Sequence, residues 1–217
     1  MKMNDKTLRQ YVVDELDWEP SVESAHIGVA VENGIVTLSG HIPNFAQKSA
    51  AEKAVRRVKG VRGIAEELRV DFGGPSPYLD DDIAKRALGV LDLNVLVPPG
   101  AIQVKVQQGW LTLTGEVRWD YQRTAAVADL RKLRGVTGIS NNITLKPQVS
   151  AGNISNRIED ALKRHAHIEA KDVRVQVQDG RVTLEGRVPT WSDRRMVEVA
   201  AWAAPGVRTV EDHLRVI

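Results

Sequence analysis

One motif occurs three times along this chain of 217 residues, and that repetition constrains the fold more than any other feature. The motif reads Gly-x-x-Thr-Leu-x-Gly and occupies residues 34–40, 109–115 and 180–186. A Gly-Val pair follows each copy in the same register, at Gly60, Gly135 and Gly206. The interval of roughly 70–75 residues exceeds the unit of about 20–50 residues typical of solenoids, so each copy is long enough to be a small domain. The repeat predicts three tandem modules, at residues 1–71, 78–146 and 153–217.

The hydrophobic periodicity predicts the same order of elements in each module. In the first module, one face of a helix collects the apolar residues Leu8, Tyr11, Val12 and Leu16. Alternating apolar residues then predict two strands. Asn33-Gly34 predicts a type I′ turn between them, because both central residues of that turn need positive φ. A second helix ends at Gly60, and a third strand follows. The predicted fold is α+β, with three tandem α-β-β-α-β modules, each a small three-stranded mixed sheet with two helices on one face.

The repeated glycines are interpreted as structural. Three are predicted to form hairpin turns, Gly34, Gly109 and Gly180, and three to mark a bulge or a close backbone approach within a strand, Gly40, Gly115 and Gly186. A phosphate-binding loop needs its glycines between a strand and a helix, whereas these lie within a hairpin. The sequence therefore does not predict a nucleotide site.

Composition argues against several classes of function. Lys and Arg number 30 against 28 Asp and Glu, so the net charge of +2 offers no strong field for nucleic acid. The chain has no cysteine, which excludes disulfides and thiolate chemistry. None of the five histidines recurs in all three modules, and no nucleophile–base pair is apparent. We therefore predict no enzymatic activity, no metal site and no cofactor.

The N-terminus does not resemble a secretion signal, because charged residues interrupt it every few positions. No stretch approaches the roughly 18 apolar residues needed to span a bilayer. As written, the sequence predicts a cytoplasmic protein. A periplasmic location is the alternative if residue 1 is not the native start.

The start of the second helix is the candidate binding site. Lys48, Arg123 and Arg194 occupy one aligned position there, and Arg195 and Trp191 flank the third. A helix N-terminus attracts anions, and an aromatic ring beside a cation suits a phospholipid headgroup. In the alternative interpretation, the aromatic residue packs on the first helical turn and the cations are ordinary solvated residues.

Two further tryptophans are interface candidates. Trp202 aligns with Arg56 and Arg131 and is predicted to face outward. Trp110 is predicted to lie on the open face of its sheet. Exposed tryptophans favour contact with another module, another chain or a membrane.

The module order, the Gly-x-Val-Thr-Leu-x-Gly motif and the later Gly-Val pair resemble the BON domain, named after bacterial osmotically induced and nodulation proteins. The resemblance covers nearly the whole chain. It implies a non-enzymatic binding or adaptor protein of the bacterial envelope or of osmotic stress, with a phospholipid or an envelope protein as partner. The chain departs from the family in having three copies where two are common, and in lacking the usual signal sequence or lipoprotein cysteine. The alternatives are a cytoplasmic scaffold that forms homo-oligomers and a small-ligand sensor.

Overall fold

A computed structural model describes residues 4–146, 154–164 and 173–217. In the first module, the elements are α1 (Asp5–Trp18), β1 (Ile27–Glu32), β2 (Ile35–Ile42), α2 (Phe45–Arg57) and β3 (Gly63–Val70). The second contains α3 (Asp80–Leu93), β4 (Ile102–Gln107), β5 (Trp110–Val117), α4 (Asp120–Leu130) and β6 (Gly138–Leu145). The third contains α5 (Ile154–Lys163), β7 (Val173–Gln178), β8 (Arg181–Val188), α6 (Trp191–Trp202) and β9 (Thr209–Val216).

Each module has its own three-stranded sheet with the second strand in the middle. β1 runs antiparallel to β2, because a two-residue turn joins them. β3 runs parallel to β2, because α2 carries the chain back across the sheet, and β9 pairs with β8 in the same way. The prediction of three tandem α+β modules with mixed sheets is confirmed.

The hairpin turns have the backbone conformation that the type I′ prediction requires. Asn33 and Gly34 have φ values of 52° and 78°. The carboxylate of Asp5 accepts hydrogen bonds from both of their backbone N–H groups, at 2.7 and 3.0 Å. Asp80 does the same for Gln108 and Gly109 in the second module, at 2.8 and 2.9 Å. The first residue of α1 and of α3 therefore fixes the adjoining hairpin.

The strand glycines lie where two backbones approach closely. Gly40 has a φ of 124°, and a Cβ added to it would overlap the carbonyl oxygen of His26. Gly115 repeats this geometry with a φ of 133° and the carbonyl oxygen of Ala101. Both the dihedral angle and the space favour glycine at these positions.

Apolar residues on the helices pack against the sheet within each module. Leu8, Val12 and Leu16 of α1 are buried, as are Val36 and Leu38 of β2. Tyr11, which was predicted on the same helical face, is 49% exposed. The reason is its angular position, since it lies one residue before Val12 and so falls at the rim of the buried stripe.

By internal contacts the chain divides into two compact units, one formed by Met1–Val117 with Gln122–Ile143 and the other by Arg118–Tyr121 with Thr144–Ile217. The division into three separate domains therefore stays a prediction. Within the described residues, no helix has both the length and the apolar character needed to cross a membrane.

Candidate functional site

The candidate site begins at the N-termini of the second helices, and side chains cap those of α2 and α6. The Asn44 side chain accepts a hydrogen bond from the backbone N–H of Gln47 at 2.9 Å. At α6, Thr190 Oγ1 accepts from the N–H of Asp193 at 3.1 Å and lies 2.6 Å from the Asp193 carboxylate. In the second module, Trp119 aligns with Asn44 and Thr190 and lies directly before α4. At α2 and α6, the cap therefore satisfies part of the donor set that attracts anions.

The predicted cations Lys48 and Arg194 join the second helix to the third strand. Lys48 Nζ lies 2.7 Å from a carboxylate oxygen of Glu66 and donates to the carbonyl of Leu68 at 2.6 Å. Arg194 Nε lies 2.6 Å from the Asp212 carboxylate, with both side chains mostly buried. Partly buried ion pairs of this kind hold elements in register, so these two cations have a structural task within their modules.

The acidic partners recur at one position of the repeat, which the sequence interpretation missed. Glu66 and Asp212 each also accept a hydrogen bond from a backbone N–H two residues later, at 2.7 and 2.9 Å. Asn141 takes the same place in the second module and accepts from Ile143 at 3.2 Å. The residue aligned with the two acids is therefore uncharged in the module that contains the half-buried Arg123. Aligning the third strands with one another would have revealed this position.

The third module brings Trp191, Arg194 and Arg195 together at the first turn of α6. The guanidinium of Arg194 lies 4.9 Å from the centre of the Trp191 ring. Arg195 forms an ion pair with Glu198 at 2.8 Å, yet its side chain remains 52% exposed. A solvent-exposed pair three residues apart on a helix contributes little energy, so an external phosphate can compete for Arg195.

Trp110 lies across its own sheet. Its ring covers Gly138 on the neighbouring strand, and its Nε1 donates to Ser140 Oγ at 2.9 Å. The ring is still 48% exposed. Contact with another module or chain stays a prediction for this residue.

The prediction that Trp202 faces outward needs correction. Its side chain is half-buried and packs against the hydrophobic core of the third module. The physical reason is volume. Ala201 and Ala204 stand where the first module has Val55 and Val58, and the smaller side chains leave room that the indole ring fills. An interface role for Trp202 stays untested.

No group of three or more potential metal ligands occurs among residues 4–146, 154–164 and 173–217. His165 and His167, two of the five histidines, lie outside these ranges. The acidic run Asp80–Asp82 forms the first turn of α3, where negative charge complements the helix dipole. Lys85 hydrogen-bonds Asp81 and thereby lowers the pKa of that carboxyl.

Comparison with known protein families finds one domain three times. A model of the BON domain matches residues 4–71, 79–147 and 150–217. The chain is 26% identical over 148 residues to osmotically-inducible protein Y of Escherichia coli strain K12, which covers 66% of this chain and 74% of that protein.

Two solved structures show a weak similarity to this chain. CdsD, a structural protein of the type III secretion system of Chlamydia trachomatis, is 16% identical, with 97% of this chain and 92% of that chain covered and a TM-score of 0.27. The PrgH periplasmic domain is 12% identical, with 88% and 95% covered and a TM-score of 0.22.

Proposed function

The chain belongs to the BON domain family, and we propose that it is a non-enzymatic binding protein of the bacterial envelope or of osmotic stress that attaches to anionic phospholipid. Three family modules and the similarity to an osmotically inducible protein support the stress-related part of this proposal. The phospholipid part depends on the surface at the start of α6.

The observation that carries the phospholipid proposal is the cluster of Trp191, Arg194 and Arg195. Asp212 neutralises the charge of Arg194. The guanidinium of Arg194 lies over the Trp191 ring and so helps to hold that ring in place. Arg195 then supplies the exposed charge for a phosphate, while the indole supplies the amphipathic surface that suits the headgroup region. Arg194 is thus a positioning residue, and Arg195 is the contact residue.

The test is co-sedimentation with liposomes that contain or lack an anionic phospholipid. Wild type should bind the anionic liposomes more strongly, and Arg195→Glu should reduce that binding. The matched control is Arg181→Glu, which makes the same charge change on an exposed arginine of β8 in the same module. Equal losses in both variants would show a general charge effect and contradict this site. Absence of wild-type binding to anionic liposomes would contradict the phospholipid proposal.

A second candidate function, a scaffold that self-associates, is favoured by a different observation. Trp18, at the end of α1, is 82% exposed beside a cluster of carboxylates. This surface lies in the first module and does not involve the proposed phospholipid site.

A further inference from the structure

We propose that an acidic, aromatic surface on α1 binds a basic surface on α5 of a second copy of this chain. The α1 surface consists of Tyr11, Asp14, Glu15 and Trp18. The α5 surface consists of Arg157 and Arg164, the latter directly after the last residue of the helix. This inference goes beyond attachment to phospholipid and requires no membrane.

The α1 surface forms a shallow open groove with Val58, the residue that follows α2. Trp18 is 82% exposed and Tyr11 is 49% exposed, although both are large aromatic residues. Aromatic rings gathered at the surface in this way are a feature of binding sites, because they contribute contact area at low entropic cost. The groove therefore has the residue types of an interface.

The charge of the α1 surface selects a cationic partner. Residues 10–19 contain four carboxylates, Asp14, Glu15, Asp17 and Glu19, and no basic residue. The negative end of the helix dipole adds to this charge, since the last turn of α1 has no cation to offset it. Arg57 of α2 forms ion pairs with two of the four, at 2.8 and 2.9 Å. A net negative surface remains beside the two rings.

The other two carboxylates are held by neutral groups. Gln10 donates to Asp14 at 2.8 Å, and Ser24 Oγ donates to Asp17 at 2.6 Å. A hydrogen bond from the Ser21 hydroxyl, followed by one from Arg57, lowers the pKa of Glu19, so that carboxyl remains ionised at neutral pH. The Glu19 carboxylate therefore adds negative charge next to the α1 surface.

The α5 surface offers two cations at the matching positions of the repeat. Arg157 aligns with Tyr11, and Arg164 aligns with Trp18. Both arginines are exposed, and neither forms an ion pair within the described part of the chain. Asp160 lies between them, but Lys163 forms an ion pair with it at 3.1 Å. The surface is therefore positive.

The spacing on the two surfaces agrees. Tyr11 and Trp18 are separated by the same number of residues as Arg157 and Arg164, a rise of about 10 Å along a helix. Two guanidinium groups can thus lie over the two rings at once, with the carboxylates of the groove beside them. This correspondence between surfaces of the same chain is the argument for a second copy as the partner.

An arginine–aromatic contact of the proposed kind occurs inside the second module. Arg86 of α3 occupies the position of Tyr11 and Arg157 in the repeat, and its guanidinium lies 5.0 Å from the centre of the Tyr78 ring. Here the chain supplies both the arginine and the aromatic ring. In the first module that position is a ring and in the third it is an arginine, so contact between copies would complete the pair.

The test is sedimentation velocity of the full chain, without lipid, over a wide range of protein concentration at low and high salt. Two small helical surfaces make a weak interface, so association should appear at the higher concentrations. Charge attraction should make it weaker at high salt. We expect wild type to sediment faster as its concentration rises, and less so in high salt. A wild type that remains a monomer throughout would overturn the proposal.

Two variants locate the contact. Asp14→Asn with Trp18→Ser removes the α1 surface, and Arg157→Ala with Arg164→Ala removes the α5 surface. Each variant should associate at least about tenfold more weakly than wild type, because interface energy concentrates in aromatic and arginine residues. An equimolar mixture should recover a complex of one copy of each, since each variant retains the surface that the other lacks.

Matched controls distinguish this contact from general effects. Leu93→Ser changes the exposed residue of the second module that aligns with Trp18. Arg187→Ala with Arg215→Ala removes two exposed arginines from the sheet of the third module. Both controls should associate like wild type, and thermal unfolding should show that all variants are folded. If the surface variants associate as strongly as the controls, or if their mixture forms no complex, the proposal is wrong.

Discussion

Replacing Gly115 with alanine should destabilise the second module, because two separate effects act at this position. The residue lies in β5 opposite Ile102 and has a φ of 133°. Holding a residue other than glycine in a rare backbone region costs about 1–3 kcal/mol. The added Cβ would also overlap the carbonyl oxygen of Ala101, and relieving such overpacking costs about 1–3 kcal/mol more.

We therefore expect a loss of about 3 kcal/mol for Gly115→Ala, since partial relaxation relieves both terms together. Hydrogen exchange followed by mass spectrometry measures this within one module of the full chain. If β4 and β5 exchange through opening of the module, their amides should exchange roughly 150-fold faster than in wild type.

Gly89→Ala provides a matched control in the same module. Gly89 lies within α3, and a Cβ added to it would meet no atom within 4 Å. Alanine there should stabilise the helix by about 0.5–1 kcal/mol, because glycine loses more backbone entropy on folding. If Gly115→Ala exchanges within about threefold of wild type, or if the two variants change exchange in the same direction, the close-approach argument is refuted.

Two further changes test contacts that are made within a module and repeated in more than one module. Asp80→Ala should cost about 1–2 kcal/mol in thermal unfolding, because it removes the acceptor for two turn N–H groups. Asp81→Ala, which removes an exposed ion pair with Lys85, should have a much smaller effect. Equal losses would contradict the role of Asp80 in fixing the turn. Arg194→Gln should cost about 1–2 kcal/mol by breaking the link from α6 to β9, while Arg195→Gln should cost about 0–0.5 kcal/mol. The same melting experiment measures both, and an Arg195 effect as large as the Arg194 effect would contradict the assigned tasks.

The sequence was sufficient to predict the elements of the fold, because each depends on local signals. Alternating apolar residues indicate the strands, and a residue such as Asn33 before a glycine indicates the turn. Contacts between elements were harder to predict. Nothing near Asp5 in the sequence points to a turn 28 residues away, and nothing near Lys48 points to Glu66. Trp202 was misplaced because its burial depends on the size of the alanines beside it, not on its own helical position.

The candidate site was harder to predict than the fold, because a cation's task depends on whether a carboxylate lies opposite it. Lys48, Arg123 and Arg194 were selected because they recur at one position. A structural contact also makes a residue type recur, and two modules contain such a contact. Glu66 pairs with Lys48 in the first, and Asp212 pairs with Arg194 in the third. Recurrence within a repeat therefore indicates a role in the fold before it indicates a ligand.

The positions that differ between modules are consequently the better guide to function. At the surface of the first helix of each module, Tyr11, Arg86 and Arg157 align, as do Trp18, Leu93 and Arg164. The helices that carry them have the same buried stripe, so the fold does not require these differences. The surface of α3 contacts a ring of its own module, and the surfaces of α1 and α5 are complementary in charge and in residue spacing. A chain that keeps one fold three times while changing this surface from acidic and aromatic to basic has the two halves of a contact between copies.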